Sequence, residues 1–251
     1  MLKKRVIGVI TVLDGLAVQS FGYRKHLPLG KPEFLAENLD RWGADEILIL
    51  AIDRTRRALG PDFDLIKRLG DLGLTTPIIY GGGIRCLEDA VNTIKLGADR
   101  ISIDNAIHAN IDVLEVISKT LGTQALIGAL PICSSGDKLL HLDHVKGISQ
   151  NLDSLKLEQA TEAYISELLL LDWKNEGGQD SFNEELVGLF AKSKVPIIAF
   201  GGISSPKKVK SVLKNEHISA VAIGNSLNYS EHALQNIKTT IDMPTLRTAK
   251  F

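Results

Sequence analysis

The sequence PIIYGGGI at residues 77–84 returns in slightly changed form as PIIAFGGI at residues 196–203. In each copy a short apolar run, typical of a buried strand, leads directly into glycines that permit a tight turn. A second repeat precedes each copy, because EILIL at residues 46–50 matches ELLLL at residues 167–171. The chain is therefore predicted to consist of two similar halves.

Further runs rich in Val, Ile and Leu alternate with segments whose apolar residues recur at helical spacing. Eight such strand-and-helix units indicate an α/β fold of the (β/α)8 TIM barrel type, built from two similar half-barrels. A doubly wound sheet is the alternative, and the repeat favours closure. The predicted strands are Arg5–Val12, Glu46–Ile52, Pro77–Tyr80, Arg100–Ile103, Ala125–Leu130, Glu167–Leu171, Pro196–Phe200 and Ala220–Ile223. The predicted helices are Pro32–Trp42, Asp62–Leu72, Leu87–Leu96, Asp112–Leu121, Leu155–Ala163, Glu184–Ser193, Pro206–Lys214 and His232–Asp242, and the polar residues 131–154 predict a hairpin or mobile excursion.

The composition of the 251 residues is that of a globular protein, with 44% apolar and 24% charged residues. We expect one barrel domain spanning residues 1–251. The 29 basic and 30 acidic residues nearly cancel, which argues against nucleic acid or an anionic membrane as a partner. Apolar runs fall far short of the ~20 residues that span a bilayer. Only two cysteines, Cys86 and Cys133, are present, and together these features predict a cytoplasmic protein.

The glycines that follow the repeated strands are candidates for phosphate binding, because their backbone N–H groups can approach an anion closely. The alternative is that they only permit a tight turn, but the duplication favours two facing sites for a ligand with phosphates at both ends. A carboxylate repels phosphate, so the site containing Asp104 is expected to be the weaker one. The candidates are Gly82, Gly83, Asp104 and Asn105 in the first half, and Gly201, Gly202, Gly224 and Asn225 in the second.

Charged residues begin four of the predicted strands: Arg5, Glu46, Arg100 and Glu167. At the N-terminal end of a barrel, two positive and two negative side chains can pair across the axis, where unpaired charges would be costly. Such a ring could act as a stabilising plug or as a gate.

Asp53 and Glu176 lie at or just beyond the C-terminal ends of predicted strands, where barrel enzymes place catalytic groups. They are the candidates for catalysis, and the alternative for each is a helix cap or a solvated loop charge. The histidines and cysteines show neither metal-ligand spacing nor an activated nucleophile, so neither a metal ion nor a cofactor is expected.

Taken together, these motifs resemble the cyclase subunit of imidazole glycerol phosphate synthase, a (β/α)8 barrel of histidine biosynthesis that works with a separate glutaminase. The resemblance includes YGGGIR at residues 80–85, GADRISI at 97–103 and LGTQ at 121–124. It implies that the glycine motifs bind two phosphates of a ribotide. It also implies that a glutaminase docks on the barrel bottom near Asp99 and Gln124, and that ammonia passes the four charged residues, which act as a gate.

The chain departs from this family at positions that carry its chemistry. Thr11 and Pro131 stand at the positions of the family's two catalytic aspartates, and neither exchanges a proton near neutral pH. Gln19, Ala51 and Asp104 replace a lysine, an aspartate and an asparagine. The resemblance thus implies that the ammonia route is kept while the cyclase chemistry is lost.

This pattern resembles divergent cyclase-like proteins that take ammonia from a dedicated glutaminase and supply it to an ATP-dependent sugar amidotransferase of surface-sugar (O-antigen or lipopolysaccharide) biosynthesis. Two alternatives stay open. One is a working cyclase in which Glu176 or Asp53 replaces the missing aspartates. The other is a barrel without catalytic activity that binds a phosphorylated metabolite.

Overall fold

The computed structural model describes residues 3–104, 111–136, 138–152, 163–241 and 243–249. The strands in these ranges are β1 (Arg5–Leu13), β2 (Leu16–Phe21), β3 (Lys25–Gly30), β4 (Glu46–Ala51), β5 (Ile78–Gly81), β6 (Arg100–Ile103), β7 (Leu126–Ser135), β8 (Lys138–Asp143), β9 (Ile148–Asn151), β10 (Glu167–Asp172), β11 (Ile197–Phe200) and β12 (Ile218–Ile223). The α-helices are α1 (Pro32–Arg41), α2 (Phe63–Gly70), α3 (Leu87–Lys95), α4 (Ile111–Leu121), α5 (Glu185–Gly188), α6 (Pro206–Leu213) and α7 (Ala233–Thr240).

Eight parallel strands form a closed barrel in the order β1-β4-β5-β6-β7-β10-β11-β12, and β12 pairs with β1. The two four-strand halves meet where β6 pairs with β7, for example at Ile103 and Gly128, and where β12 pairs with β1. The fold is therefore the predicted (β/α)8 barrel, and the doubly wound alternative is wrong.

The internal repeat corresponds to the geometry of the barrel. Strands β5 and β11, each followed by a glycine turn, are the third and seventh strands around the barrel. Glu46 and Glu167 begin the second and sixth strands. Equivalent residues therefore lie on opposite sides of the barrel axis, as the two-half prediction requires.

The helices cover the outside of the barrel through one apolar face each. In α2 the buried residues are Leu65, Ile66 and Leu69, and Asp62 caps the helix by accepting a hydrogen bond from the N–H of Leu65 at 3.1 Å. The predicted helix Glu184–Ser193 is shorter than expected, since α5 ends at Gly188, a residue unfavourable within helices. The predicted helix Leu155–Ala163 lies outside the described residues apart from its last residue.

Two antiparallel hairpins rise from the C-terminal end of the barrel, which we call the mouth. The first, β2–β3, was not predicted, and it follows a two-residue turn at Asp14 and Gly15 with φ values of 50° and 76°. The second, β8–β9, continues from β7 and confirms the predicted hairpin within residues 131–154.

The barrel interior is filled by inward-facing apolar side chains. Its cluster is distinct from the outer core between strands and helices, and it includes Ile7, Leu48, Ile79, Ile127, Leu169 and Ile198. The described part of the chain contains no helix with the length and apolar character needed to cross a membrane.

Candidate functional site

The four charged residues at the strand starts form a closed ring of ion pairs at the bottom of the barrel. Arg5 Nη1 lies 2.6 Å from Glu46 Oε2, and Arg5 Nη2 also pairs with Glu167. Arg100 Nη1 lies 3.1 Å from Glu46 Oε1 and 2.7 Å from Glu167 Oε2. Each charge thus contacts two opposite charges, which confirms the predicted pairing across the axis.

Neighbouring polar groups hold this ring in place. The Ser219 hydroxyl donates to Glu167, and Arg100 Nη2 donates to Ser166 Oγ at 2.8 Å. Burial acts to raise the pKa of Glu167, but Arg5, Arg100 and the Ser219 hydroxyl outweigh it and leave the pKa below its usual value. Glu167 is therefore held as a carboxylate.

The two predicted docking residues lie on the same face as the ring. Asp99 and Gln124 are both exposed. The Gln124 carbonyl accepts a hydrogen bond from Arg100 Nε at 3.0 Å, and Asp99 Oδ2 accepts one from the N–H of Ile78 at 2.7 Å. The backbone of Gln124 therefore links the ring to this exposed surface by one hydrogen bond.

Among the described residues, two cavities open at the mouth, and each adjoins one of the glycine turns. The larger, which we call the first cavity, has a volume of about 570 Å³ and is lined by Gly81–Ile84 and the end of β6. The second cavity has a volume of about 150 Å³ and is lined by Gly202, Gly224 and Asn225 among others. Each predicted phosphate site thus adjoins a cavity of its own.

The glycine turn of the first cavity is closed off by a neighbouring loop. The N–H of Gly83 donates to Thr55 Oγ1 at 2.9 Å. Gly82 and Gly83 have φ values of 134° and 75°, and a Cβ on Gly83 would lie 2.2 Å from the Gly60 carbonyl oxygen. The glycines are therefore required by a tight turn, and one of their N–H groups already has a partner.

Asp104 is held by histidines of the second hairpin. His144 Nε2 lies 2.8 Å from Asp104 Oδ2, and His141 Nε2 lies 3.7 Å from Asp104 Oδ1. The Asp104 carboxylate therefore lies at the first predicted phosphate site. A carboxylate repels phosphate, which is the reason the sequence analysis expects this site to be the weaker one. Asn105, the other candidate of the first half, lies outside the described residues.

The second cavity is covered by the first hairpin. Asn225 Nδ2 donates to the Ser20 carbonyl at 2.6 Å, and Asn225 Oδ1 accepts from the N–H of Ser20 at 3.2 Å. Gly201 and Gly202 turn with φ values of 105° and 77°. The side chain of Asn225 thus positions the hairpin. The backbone of Asn225 and Gly202 remain as lining of the cavity.

Glu176 also lines the second cavity, and it is 5% exposed. Its Oε2 accepts hydrogen bonds from Ser20 Oγ at 3.1 Å and from the N–H of Tyr23 at 3.3 Å. Burial raises the pKa of Glu176 above its usual value, although these hydrogen bonds act in the opposite direction. Glu176 therefore combines a raised pKa with a positioning contact to the hairpin.

Asp53, the other candidate acid, lines the first cavity rather than the second. Its Oδ2 lies 3.3 Å from Arg57 Nη1 and accepts from the N–H of Asp14 at 3.4 Å. The structure thus places Asp53 and Glu176 in different cavities, so it does not bring them together as an acid–base pair.

Thr11 and Pro131 are likewise separated between the cavities. Thr11 is buried and lines the second cavity, whereas Pro131 lines the first beside Leu169 and Leu171. Neither side chain provides a titratable group near neutral pH. The described residues contain no group of three or more His, Cys, Asp or Glu residues arranged to hold a metal ion.

Several residues of the mouth were missed by the sequence analysis. Thr55 and His144 were not singled out, because their contacts with Gly83 and Asp104 join distant parts of the chain. The Asp-Gly dipeptide at Asp14–Gly15 is a strong hairpin signal and could have located the first hairpin.

Comparison with known proteins agrees with this architecture. The family model of histidine biosynthesis proteins matches residues 5–233. The imidazole glycerol phosphate synthase subunit HisF of Exiguobacterium sibiricum is 31% identical over 209 residues, which is 82% of this chain and 83% of that protein. The HisF subunit of Syntrophobacter fumaroxidans is 26% identical over 100% of this chain and 99% of its own length. The corresponding subunit of Cytophaga hutchinsonii is 27% identical over 95% and 96%. The chain therefore belongs to the histidine biosynthesis protein family, as a relative of the HisF subunit of imidazole glycerol phosphate synthase.

Proposed function

We propose that this protein conducts ammonia from a docked glutaminase through its barrel and does not itself perform the cyclase reaction. The observation that carries the proposal is the closed ring of Arg5, Glu46, Arg100 and Glu167 at the end of the barrel axis. Four mutually paired charges that close the end of the barrel axis fit a gate that opens and closes around a neutral molecule.

The interior above the ring supports the same proposal. The side chains that face the axis there are apolar, as Ile7, Leu48 and Ile127 illustrate. An apolar interior disfavours ammonium, because a charged group loses its hydration there, whereas the transfer of neutral ammonia into it costs much less. Ammonia released into bulk water would be protonated, so the partner must dock on the ring face beside Asp99 and Gln124.

Residues of the mouth that differ from the family's catalytic residues support the proposed absence of cyclase activity. Thr11 and Pro131 replace the proton-exchanging pair that the family uses. Asp53 is engaged with Arg57, and Glu176 is engaged with Ser20 and lies in the other cavity. An active cyclase in which Glu176 or Asp53 replaces the missing aspartates is therefore disfavoured, because both carboxylates already have partners within the protein.

The second cavity supports one additional proposed function, the binding of a phosphorylated metabolite. Its glycine turn and the backbone around Asn225 suit a single phosphate group, so a phosphorylated metabolite can bind there whether or not ammonia is conducted. For the final acceptor of ammonia, the resemblance supports an ATP-dependent sugar amidotransferase of surface-sugar biosynthesis.

The docking step is tested by measuring binding between this chain and a glutaminase encoded beside it. Gln124→Lys places a new charge on the ring face and should weaken binding at least tenfold. Gln150→Lys makes the same exchange on exposed β9 at the opposite end of the barrel and should leave binding unchanged. If no such glutaminase binds, or if both variants behave alike, the proposal is wrong.

A further inference from the structure

The apolar interior of the barrel adjoins the first cavity. Ala129, Leu169 and Leu171 belong to the inward-facing cluster and also line this cavity. Arg24 and Arg56 line it as well, and both are exposed, so the cavity opens to solvent at the mouth. The second cavity adjoins the interior too, but it is smaller and is covered by the first hairpin. A route along the axis therefore ends at the opening of the first cavity, at the opposite end of the barrel from the ring.

An opening to bulk water is a poor end for an ammonia route. Ammonia that reaches water near neutral pH is protonated, and ammonium does not act as a nucleophile. The enzyme that consumes the ammonia must therefore cover the opening, so that its own active site is continuous with the first cavity. This step rests on the proposed function, because it requires that ammonia passes through the barrel.

Two arginines at the opening are not engaged by the described part of the protein. The side chains of Arg24 and Arg56 make neither a hydrogen bond nor an ion pair with another residue of the described ranges. Arg57, by contrast, pairs with both Asp14 and Asp53. The two segments that carry these residues, 14–25 and 53–57, contain five basic and two acidic residues. The opening therefore has a local excess of positive charge.

The loop that carries Arg56 is held in place by Arg54. The Arg54 guanidinium donates hydrogen bonds to the carbonyl oxygens of Leu59, Gly60 and Pro61 at 3.2, 2.7 and 2.9 Å. A surface that is already ordered loses less conformational entropy when a partner binds. The loop is thus preorganised for an interface.

Two exposed leucines accompany the arginines. Leu59 is 51% exposed and lies in the same loop as Arg56, and Leu16 is 48% exposed. The ion pair between Asp14 and Arg57 joins the loop of Leu59 to the turn that precedes Leu16. Apolar area and guanidinium groups therefore occur together at the opening, and arginine is enriched in protein interfaces.

We propose that the rim of the first cavity, formed by Leu16, Arg24, Arg56 and Leu59, is the docking surface for the enzyme that consumes the ammonia. The charge of the rim requires a partner whose contacting surface is acidic. Complementary charges across such an interface increase the rate of association and disfavour other partners. Because the rim and the ring face lie at opposite ends of the barrel, the glutaminase and the acceptor enzyme bind at the same time.

The test measures the affinity of this chain for the ATP-dependent amidotransferase encoded beside it. Arg24→Glu combined with Arg56→Glu should weaken binding at least about tenfold, because like charges then face each other. The matched control is Lys67→Glu combined with Lys95→Glu, which makes the same change in net charge on exposed residues of the outer helices α2 and α3. The control should bind as the wild-type chain does. Wild-type binding should also weaken between about 0.05 and 0.5 M NaCl, since salt screens these charges.

Further measurements separate this inference from the proposed function. The rim variant should keep the wild-type unfolding temperature and glutaminase affinity, because it alters neither the core nor the ring face. A chain that binds the glutaminase but not the amidotransferase would overturn the docking surface and leave the ammonia route standing. If the amidotransferase binds at the rim but receives no ammonia from glutamine, the proposed function fails and the docking surface stands. Equal losses in the rim and control variants, competition between the two partners, or self-association of the chain through the rim would overturn the inference.

Discussion

His144 Nε2 lies 2.8 Å from Asp104 Oδ2, and this contact ties the β8–β9 hairpin to the end of β6. Asp104 follows the fourth strand of the barrel, whereas His144 lies in the turn of the hairpin that continues from the fifth. The wall of the first cavity is thus closed by a contact whose strength depends on the protonation of an imidazole.

We predict that this contact weakens as the pH rises through the pKa of His144. Burial acts to lower the pKa of His144, but Asp104 and Asp143 outweigh burial and leave the pKa above its usual value. A folded-state pKa above the unfolded value gives stability that is complete below about pH 6.5 and is lost as the pH rises through the folded-state pKa. The free energy of unfolding, measured in urea, should therefore fall over that range.

The control for this prediction is His144→Gln, which retains a hydrogen-bonding side chain but does not titrate. Its free energy of unfolding should lack the part of the pH dependence that comes from the imidazole. Parallel pH profiles for the wild-type and variant proteins would show that the contact with Asp104 contributes nothing measurable.

A second prediction concerns the missing acid–base pair. General acid–base catalysis contributes typically ~10²–10⁴-fold, and neither Thr11 nor Pro131 can supply it. Ammonia-dependent cyclisation of the family's ribotide should therefore be negligible in this protein. The double variant Thr11→Asp with Pro131→Asp restores both aspartates and should recover part of the cyclisation activity. Turnover of the unaltered chain at ~1 s⁻¹ or faster, an ordinary enzyme rate, would contradict this prediction.

A third prediction concerns anion binding at the second cavity. Sulfate keeps its charge over the accessible pH range, so any pH dependence reports on the protein. Because Glu176 lines this cavity and burial raises its pKa, sulfate should bind more tightly when Glu176 is protonated. Affinity should weaken on the order of tenfold as the pH rises through that pKa, and Glu176→Gln should remove the pH dependence.

The position at which sulfate binds tests the prediction that the site in the second half binds an anion more strongly than the site in the first half. Backbone resonances of Gly202 and Asn225 should respond to sulfate before that of Gly83, whose N–H is bonded to Thr55. Asp104 adds a negative charge beside the first turn and acts in the same direction. A response at Gly83 alone would reverse the expected order.

The sequence predicted the barrel well because its strands are buried on both sides. The bounds of β6 are the predicted ones, Arg100–Ile103, and those of β4 differ by one residue. Such strands consist of continuous apolar runs that need no knowledge of their neighbours. The ring was predictable for a related reason, since each of its four charges begins a predicted strand, and Glu46 and Glu167 begin equivalent strands of the two halves.

The mouth could be predicted only in part. The hairpin β2–β3 is joined to the barrel by Asn225 and Glu176, which lie about 150 to 200 residues further along the chain. The bond between Gly83 and Thr55 likewise depends on how two loops pack. Glycine spacing indicates where an anion could bind, but it does not reveal whether the glycine N–H already donates a hydrogen bond to another loop.

The last prediction concerns the ring, where one side chain can be removed without enlarging the apolar core. Glu167→Ala leaves Arg5 and Arg100 each with one fewer carboxylate in a confined space. Removing one partner of a buried pair costs about 3–5 kcal/mol, whereas Glu184→Ala, which breaks an exposed pair with Lys208, should cost less than about 1 kcal/mol.

In a reconstituted complex, Glu167→Ala and Arg5→Ala should leave glutamate production largely intact but lower the ratio of aminated product to glutamate. Free ammonium, supplied as a bypass, should restore product formation in these variants, and Glu184→Ala should match the wild-type ratio. A wild-type ratio in both ring variants would mean that the ring stabilises the barrel without controlling ammonia.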